Sequence, residues 1–198
     1  LSSADSLHRI GPNSVTRVAE ALASAYDEKT LIGLFELAGL GAYLEQPPTA
    51  MVDEREVTRL HQVLRAKLGV DDALDVARRA GVLTGDYLLA HRIPKGVQRL
   101  LAVLPARLAA RVLLNAIDRH SWTFSGSGEL SLDLSYPPRL SIAGCCICRG
   151  AQSTTPICDY YASALQRLFR ALVQRNAVVT ETQCQAAGAH ACTFEISW

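Results

Sequence analysis

The chain is poor in features that mark several large classes of protein. No stretch reaches ~18 uninterrupted apolar residues, so no transmembrane helix is expected. Neither sign of charge is in excess: 20 Lys and Arg stand against 19 Asp and Glu, for a net charge of +1. A nucleic-acid partner is therefore not expected, because a phosphate backbone demands a dense basic surface. Aromatic residues make up 6% of the chain, too few for a base-stacking platform. The N-terminal LSSADSLHRIGPNS lacks the basic-then-apolar order of a secretion signal, which points to the cytoplasm. No G-x-G-x-x-G follows a strand pattern, so a dinucleotide fingerprint is missing. The glycines of SGSGEL lead into a strand and make no phosphate cradle. Neither a flavin signature nor a ferredoxin-like cysteine run is visible.

What is present fits a globular domain. Hydrophobic residues form 49% of 198 residues, enough for one domain or one domain with a helical extension. Six cysteines in a reducing compartment point to metal or redox chemistry before disulfides. Any single cysteine is still, by default, a small buried hydrophobe.

The first two-thirds reads helical. In NSVTRVAEALASAY, Val15, Val18, Leu22 and Tyr26 share a face, with Asn13 or Ser14 as N-cap. KTLIGLFELAGL places Leu31, Leu34, Phe35 and Ala38 in register, and EQPPTA is a loop. DEREVTRLHQVLRAKLG has Asp53 and Glu56 at capping-box spacing, a stripe of Val57, Leu60, Leu64 and Leu68, and Gly69 as stop. DDALDVARRAG predicts a short helix ending at Gly81, and TGDYLLAHRIP another ending at a proline. The apolar run from Val97 to Ile117 is divided at Pro105. Around Leu108, Val112, Leu113 and Leu114 its apolar positions point nearly all round, which predicts a central core helix or a pocket wall.

The pattern then changes. GELSLDLSY alternates Leu130, Leu132 and Leu134 with polar residues, a half-buried strand, and LSIAGCCIC reads as its partner. A helix follows with Tyr161, Leu165, Leu168, Phe169 and Leu172 on one face. AVVTET and ACTFEIS are two final strands. Helices, hairpin, helix and hairpin in that order predict an α+β fold, with N-terminal helices packed on a twisted antiparallel sheet.

Near the C-terminus, ETQCQAAGAHACTFEI carries Glu181, Cys184, His190 and Cys192. The hairpin brings Cys184 to Cys192, and the returning helix can bring Cys158 to the same corner. Three thiolates and one further ligand would close a tetrahedral zinc shell, which marks a structural site. Glu181 and His190 both remain candidates for the fourth ligand. Residues three apart on a regular strand face opposite sides, so Glu181 and Cys184 share an ion only if the strand is irregular there. In CCIC, strand alternation would set Cys146 and Cys148 on one face and Cys145 on the other. A second metal site or an iron–sulfur cluster is the alternative there, but the spacing matches neither of the usual ferredoxin runs, and the three read as buried or half-buried free thiols.

PICDYYASALQRLFRALV followed by ETQCQAAGAHACTFEI resembles the 4-vinyl reductase domain family. The shared pattern is a cysteine at the helix start, then Glu-x2-Cys-x7-Cys with an intervening glycine: Cys158, Glu181, Cys184, Gly188 and Cys192. The resemblance implies a structural zinc on Cys158, Glu181, Cys184 and Cys192, and so prefers Glu181 to His190. It further implies a helical segment over 1–50 and a ligand-binding domain over 51–198, with the last hairpin pinned by the metal. RIGPNSVTRVAEAL and GDYLLAHRIPKGVQRLLAVLPARLAARVLLNAI are similar to the branch of the family that serves bacteriochlorophyll biosynthesis. That similarity implies a tetrapyrrole-binding accessory or carrier protein, holding a magnesium-porphyrin or protochlorophyllide intermediate as ligand. The implied partners are pathway enzymes such as magnesium chelatase and a methyltransferase, with a homodimer and membrane association through those enzymes as further expectations. The alternatives are a vinyl-group reductase, as the family name implies, and a small-ligand sensing domain. An apolar slot for a porphyrin needs basic residues at its mouth and an axial ligand. His91, Arg92, Arg119, His120 and Trp122, at the ends of the long apolar run, are the candidates.

Overall fold

The computed structural model describes residues 8–198. Residues 1–7, which open both the stretch read for a secretion signal and the expected 1–50 helical segment, lie outside the described residues. Strand β1 (Arg9–Ile10) leads into α1 (Asn13–Ala25), which buries Val15, Val18, Ala21 and Leu22. Its N-cap is Pro12, so Asn13 and Ser14 already lie inside the helix. Proline's fixed φ suits a helix start, and Ser14 Oγ donates back to the Gly11 carbonyl at 2.7 Å. Helix α2 (Glu28–Leu37) is capped by Asp27, which accepts from the Thr30 N–H at 2.8 Å. A short α3 (Ala42–Glu45) and β2 (Val52–Asp53), paired antiparallel with β1, bring the chain to α4 (Glu54–Leu68). Asp53 caps α4 by accepting from the Arg55 N–H. The reciprocal half of the capping box is missing, since Glu56 accepts instead from the Tyr43 hydroxyl at 3.0 Å.

The two helices expected on either side of Gly81 are one, α5 (Val70–His91). Gly81 and Gly85 are not stops. They lie where α5 crosses α8 (Asp159–Leu172). A β-carbon on Gly81 would stand 2.3 Å from the Tyr160 carbonyl oxygen, and one on Gly85 2.7 Å from Arg167 Cβ. The contact is completed by Thr84 and Tyr160, whose hydroxyls are 2.9 Å apart, and by Arg167 on Asp86. Helices α6 (Lys95–Val103) and α7 (Ala106–Arg119) are separated at Pro105, as the sequence predicts. Helix α7 is not a central core helix. It buries Ala109, Ala110, Leu113 and Leu114 but leaves Leu108 and Val112 over 40% exposed, because one face only meets the sheet.

The main sheet is wholly antiparallel: β3 (Glu129–Asp133), β4 (Arg139–Ala143), β6 (Cys192–Ser197) and β5 (Val178–Gln183), in that spatial order. Leu140, Ile142, Phe194 and Ile196 are among its most deeply buried residues. The fold is α+β, as expected. Strand β4 stops at Ala143 rather than running on through CCIC; Gly144, at φ 76°, turns the chain out of the sheet. Among the described residues no helix is long and apolar enough to cross a membrane.

The glycine crossing yields a mutational contrast. Gly81→Ala is expected to lower unfolding stability by about 2 kcal/mol, since the added methyl meets backbone. Gly33→Ala in α2, with open space around it, should be neutral or raise stability by up to ~1 kcal/mol. Urea denaturation of both variants decides.

Candidate metal centre

The site is built on one edge of α4. Glu54, Thr58, Gln62 and Arg65 recur at near-helical spacing, so they stand in a row. Opposite them runs the turn that follows β4. Thr58 Oγ1 donates to the Cys146 carbonyl at 2.8 Å, Arg65 Nη1 to the Ile147 carbonyl at 3.1 Å, and Gln62 Nε2 to the Arg149 carbonyl at 3.1 Å. Glu54, 1% exposed, accepts from Arg149 Nη1 at 2.8 Å and from the Ser127 N–H and hydroxyl at 2.7 and 2.6 Å. His8 Nδ1 adds a contact at 3.1 Å. Burial alone would raise the Glu54 pKa. The Arg149 and Ser127 hydrogen bonds outweigh burial and hold it at about 2. The carboxylate thus stays charged and ties the turn to the helix.

Because residues 145–149 form a turn rather than a strand, the expected alternation fails. Cys145 and Cys148 face the C-terminal hairpin together, while Cys146 turns the other way, 3.6 Å from the Tyr161 hydroxyl. Burial pushes the Cys146 thiol up to about 12, which keeps it protonated and inert. All six cysteines are free and buried.

The strand irregularity that Glu181 and Cys184 require is present. The β5–β6 register slips between Glu181 and Gln183, a bulge that re-aims the strand end. Cys184 follows β5, and a short 3-10 turn over Gln185–Ala187 closes at Gly188, whose left-handed φ of 90° suits glycine. Cys158 sits at the N-cap of α8. The donor atoms of Cys158, Glu181, Cys184 and Cys192 all lie within 4.8 Å of one another. Sγ of Cys158 is 4.0 Å from Cys184 and 3.6 Å from Cys192, and Cys184 is 3.9 Å from Cys192. Metal–sulfur bonds of ~2.3 Å in a tetrahedron imply edges of about 3.8 Å, so the thiols already stand at ligand spacing. The buried cluster can hold a metal ion.

The chemistry of the surrounding groups fits a cation at this position. Glu181 Oε2 accepts from the Cys158 N–H at 2.7 Å, but Oε1 is buried without a partner. Burial pushes its carboxyl up to about 8, so without a cation it keeps its proton. His190 is exposed outside the cluster, its carbonyl accepting from Gln185 Nε2 at 3.0 Å. The neighbouring His61 is held neutral: burial, then the charge of Arg65, pushes it down to about 3.

The five residues considered for a pigment slot are all exposed. His91 packs on the Tyr87 ring with centroids 4.9 Å apart, at the end of α5 beside Arg92. Arg119 and His120 close α7, with His120 Nδ1 2.7 Å from the Ala116 carbonyl, and Trp122 lies on the following 3-10 turn. A cavity of about 390 Å³ lies between α7 and the end of the β3–β4 hairpin, lined by other residues, among them Arg107, Leu108, Arg111, Leu114, Tyr136 and Trp198.

Residues 138–197 match the 4-vinyl reductase (V-4-R) domain. That span runs from β4 to β6 and carries all six cysteines and Glu181. Over nearly its whole length the chain is similar to two proteins named Bacteriochlorophyll synthase 23 kDa chain. The one from Cereibacter sphaeroides is 41% identical over 96% of this chain and 90% of its own. The one from Rhodobacter capsulatus is 32% identical over 94% of this chain and 85% of its own. The chain belongs to their family, the 4-vinyl reductase domain proteins. A more distant member, an uncharacterized protein of Methanocaldococcus jannaschii, is 29% identical over 35% of this chain and 38% of its own.

Within this domain, the sequence pattern left a second metal site at Cys145 and Cys148 as the less favoured alternative to free thiols. The available signal was their own spacing: Cys-x2-Cys is a common metal-ligand interval. It was hidden by reading a strand where the chain turns.

The Glu54 latch has a pH signature. Its pKa falls from 4.5 to about 2 on folding, so its contribution is complete above 4.5 and is lost as pH drops toward 2. Glu54→Gln is expected to cost about 3 kcal/mol at pH 7, with the gap to the unmodified protein narrowing below pH 4.5. Denaturant midpoints measured from pH 7 to pH 2.5 report it; a constant gap would exclude the latch.

Proposed function

We propose that this protein is an accessory protein of bacteriochlorophyll biosynthesis that binds a tetrapyrrole intermediate and hands it between pathway enzymes. The observation that carries this reading is the 41% identity, along nearly the full length of both chains, to a Bacteriochlorophyll synthase 23 kDa chain. The cavity beside α7 offers a chemically suitable place. A magnesium-porphyrin presents a flat apolar ring and acidic side groups, and it needs an apolar wall with a few basic groups at the mouth. Leu108 and Leu114 supply such a wall, Tyr136 and Trp198 supply ring faces, and Arg107 and Arg111 supply the charge. Arg107 lies 5.0 Å over the Tyr136 ring, a cation–π contact that an arriving carboxylate would compete for. At about 390 Å³ and open to one side, the cavity suits one edge of such a ring.

The metal in this reading is a structural zinc on Cys158, Glu181, Cys184 and Cys192. Thiolate ligands favour zinc over magnesium or calcium, and four protein ligands leave no position for a substrate. Its role is to fasten the β5–β6 hairpin to the start of α8.

Both parts are open to measurement. Titrating magnesium-protoporphyrin with the purified protein is expected to shift the pigment's Soret band at micromolar concentration. Replacing both Arg107 and Arg111 by Glu should weaken binding at least tenfold. No shift with any pathway intermediate would remove the carrier reading, and turnover of a divinyl substrate with NADPH by this protein alone would replace it with a reductase. For the metal, Cys184→Ser should release zinc and lower the melting temperature together, because a structural ion contributes folding free energy directly. Unchanged stability in that variant would exclude a structural site.

A further inference from the structure

The proposed zinc site uses only three of the five thiols gathered at this corner. Cys145 and Cys148 form a second set with Cys158 and Cys192, whose four sulfurs also lie within 4.8 Å of one another. Cys145 Sγ is 3.6 Å from Cys158, and Cys148 Sγ is 3.4 Å from Cys192. The two sets share one edge, the 3.6 Å separation between Cys158 and Cys192. Two tetrahedra joined along an edge describe a pair of metal ions bridged by two thiolates. We infer that the cluster binds two zinc ions, with Cys158 and Cys192 bridging them, Glu181 and Cys184 completing one shell, and Cys145 and Cys148 completing the other.

Three further observations support the pair. Cys145 and Cys148 come from a tight turn with Cys-x2-Cys spacing, an arrangement that presents two sulfurs to one ion. One backbone N–H is aimed at the assembly, that of Gln185, which points to Cys192 Sγ at 3.4 Å, and Gln185 Oε1 accepts from the Cys145 N–H at 2.8 Å, coupling the turn to the hairpin. The charges also fit. Five thiolates and one carboxylate with two divalent ions leave a net negative cluster. Arg65 lies against it, reaching the Ile147 carbonyl with Nη1 while Nη2 is buried without a protein partner. Filling both shells converts five thiols to thiolates and releases their protons to solvent.

This inference rests on the zinc site proposed above, so its test must separate the two. Native mass spectrometry and elemental analysis of the full chain, purified without chelator, should give two zinc ions. Cys145→Ser/Cys148→Ser should retain one, and Glu181→Gln/Cys184→Ser should retain at most one. Replacing zinc by Co2+ needs no mutation. The high-spin Co2+ resonance should grow through the first equivalent and decline through the second, as bridging thiolates couple the two spins. A single zinc unaffected by Cys145→Ser/Cys148→Ser would overturn the pair and leave the first site standing. A single zinc lost in that variant but kept in Glu181→Gln/Cys184→Ser would overturn both assignments, as would a metal-free protein. Two cobalt ions whose resonance never declines would overturn the shared thiolates.

Discussion

The polar edge of α4 is the constraint on which the rest of the site depends. A turn carrying three cysteines has no regular structure of its own, and its carbonyls would be unsatisfied where they are buried. Thr58, Gln62 and Arg65 satisfy three of them, and Glu54 anchors Arg149 at the turn's end. The Glu54 carboxylate survives burial because it receives a guanidinium and several other donors in place of water. Together with the Gln185 side chain on the Cys145 N–H, this row holds Cys145 and Cys148 toward Cys158 and Cys192.

A second constraint sets where Cys158 lies. It opens α8, so its position follows from how α8 packs on α5. Gly81 and Gly85 let the two helix backbones approach to a distance that any side chain would forbid. Tyr160 and Tyr161, two and three residues after Cys158, are both buried, Tyr160 against Thr84 of α5 and Tyr161 with its hydroxyl donating to the Phe124 carbonyl. Helix packing thus places one thiol, the bulged β5–β6 hairpin places three ligands, and the α4-bound turn places two. Three separately supported pieces of backbone meet at one buried corner, and a metal there would fasten all three.

The proposed metal corner and the proposed ligand cavity lie apart in the fold. The cysteine corner lies at one end of the sheet, where β5 hands over to β6. The cavity proposed for a tetrapyrrole lies between α7 and the far end of the β3–β4 hairpin, against Tyr136 and the C-terminal Trp198. The two places are joined by β6, which runs from Cys192 to Ser197 and pairs with β4 from Cys192 to Glu195. Exposed apolar residues recur on α6 and α7, at Val97, Leu100, Val103, Leu108 and Val112.

Much was legible from residue pattern alone. Periodicity located α1, α2, α4, α8 and all four strands of the main sheet, and Pro105 marked the break between α6 and α7. Cys158, Cys184 and Cys192 were visible as a set, since a hairpin and its preceding helix bring those residues together by chain connectivity, whereas Glu181 was preferred to His190 only through the family resemblance. Three things depended on tertiary structure. Gly81 read as a helix end because isolated glycine disfavours helix; only the neighbouring α8 reveals that it is there for close approach. Leu108 and Val112 read as core because apolarity does not say which face finds a partner. Cys145 and Cys148 read as strand residues on opposite faces, because local pattern cannot register that α4, some ninety residues earlier, supplies donors that fold this segment into a turn. Local sequence determines where helices and strands form; which thiols share a space was decided by side chains distant in the chain, whose hydrogen bonds exist only once the fold has assembled.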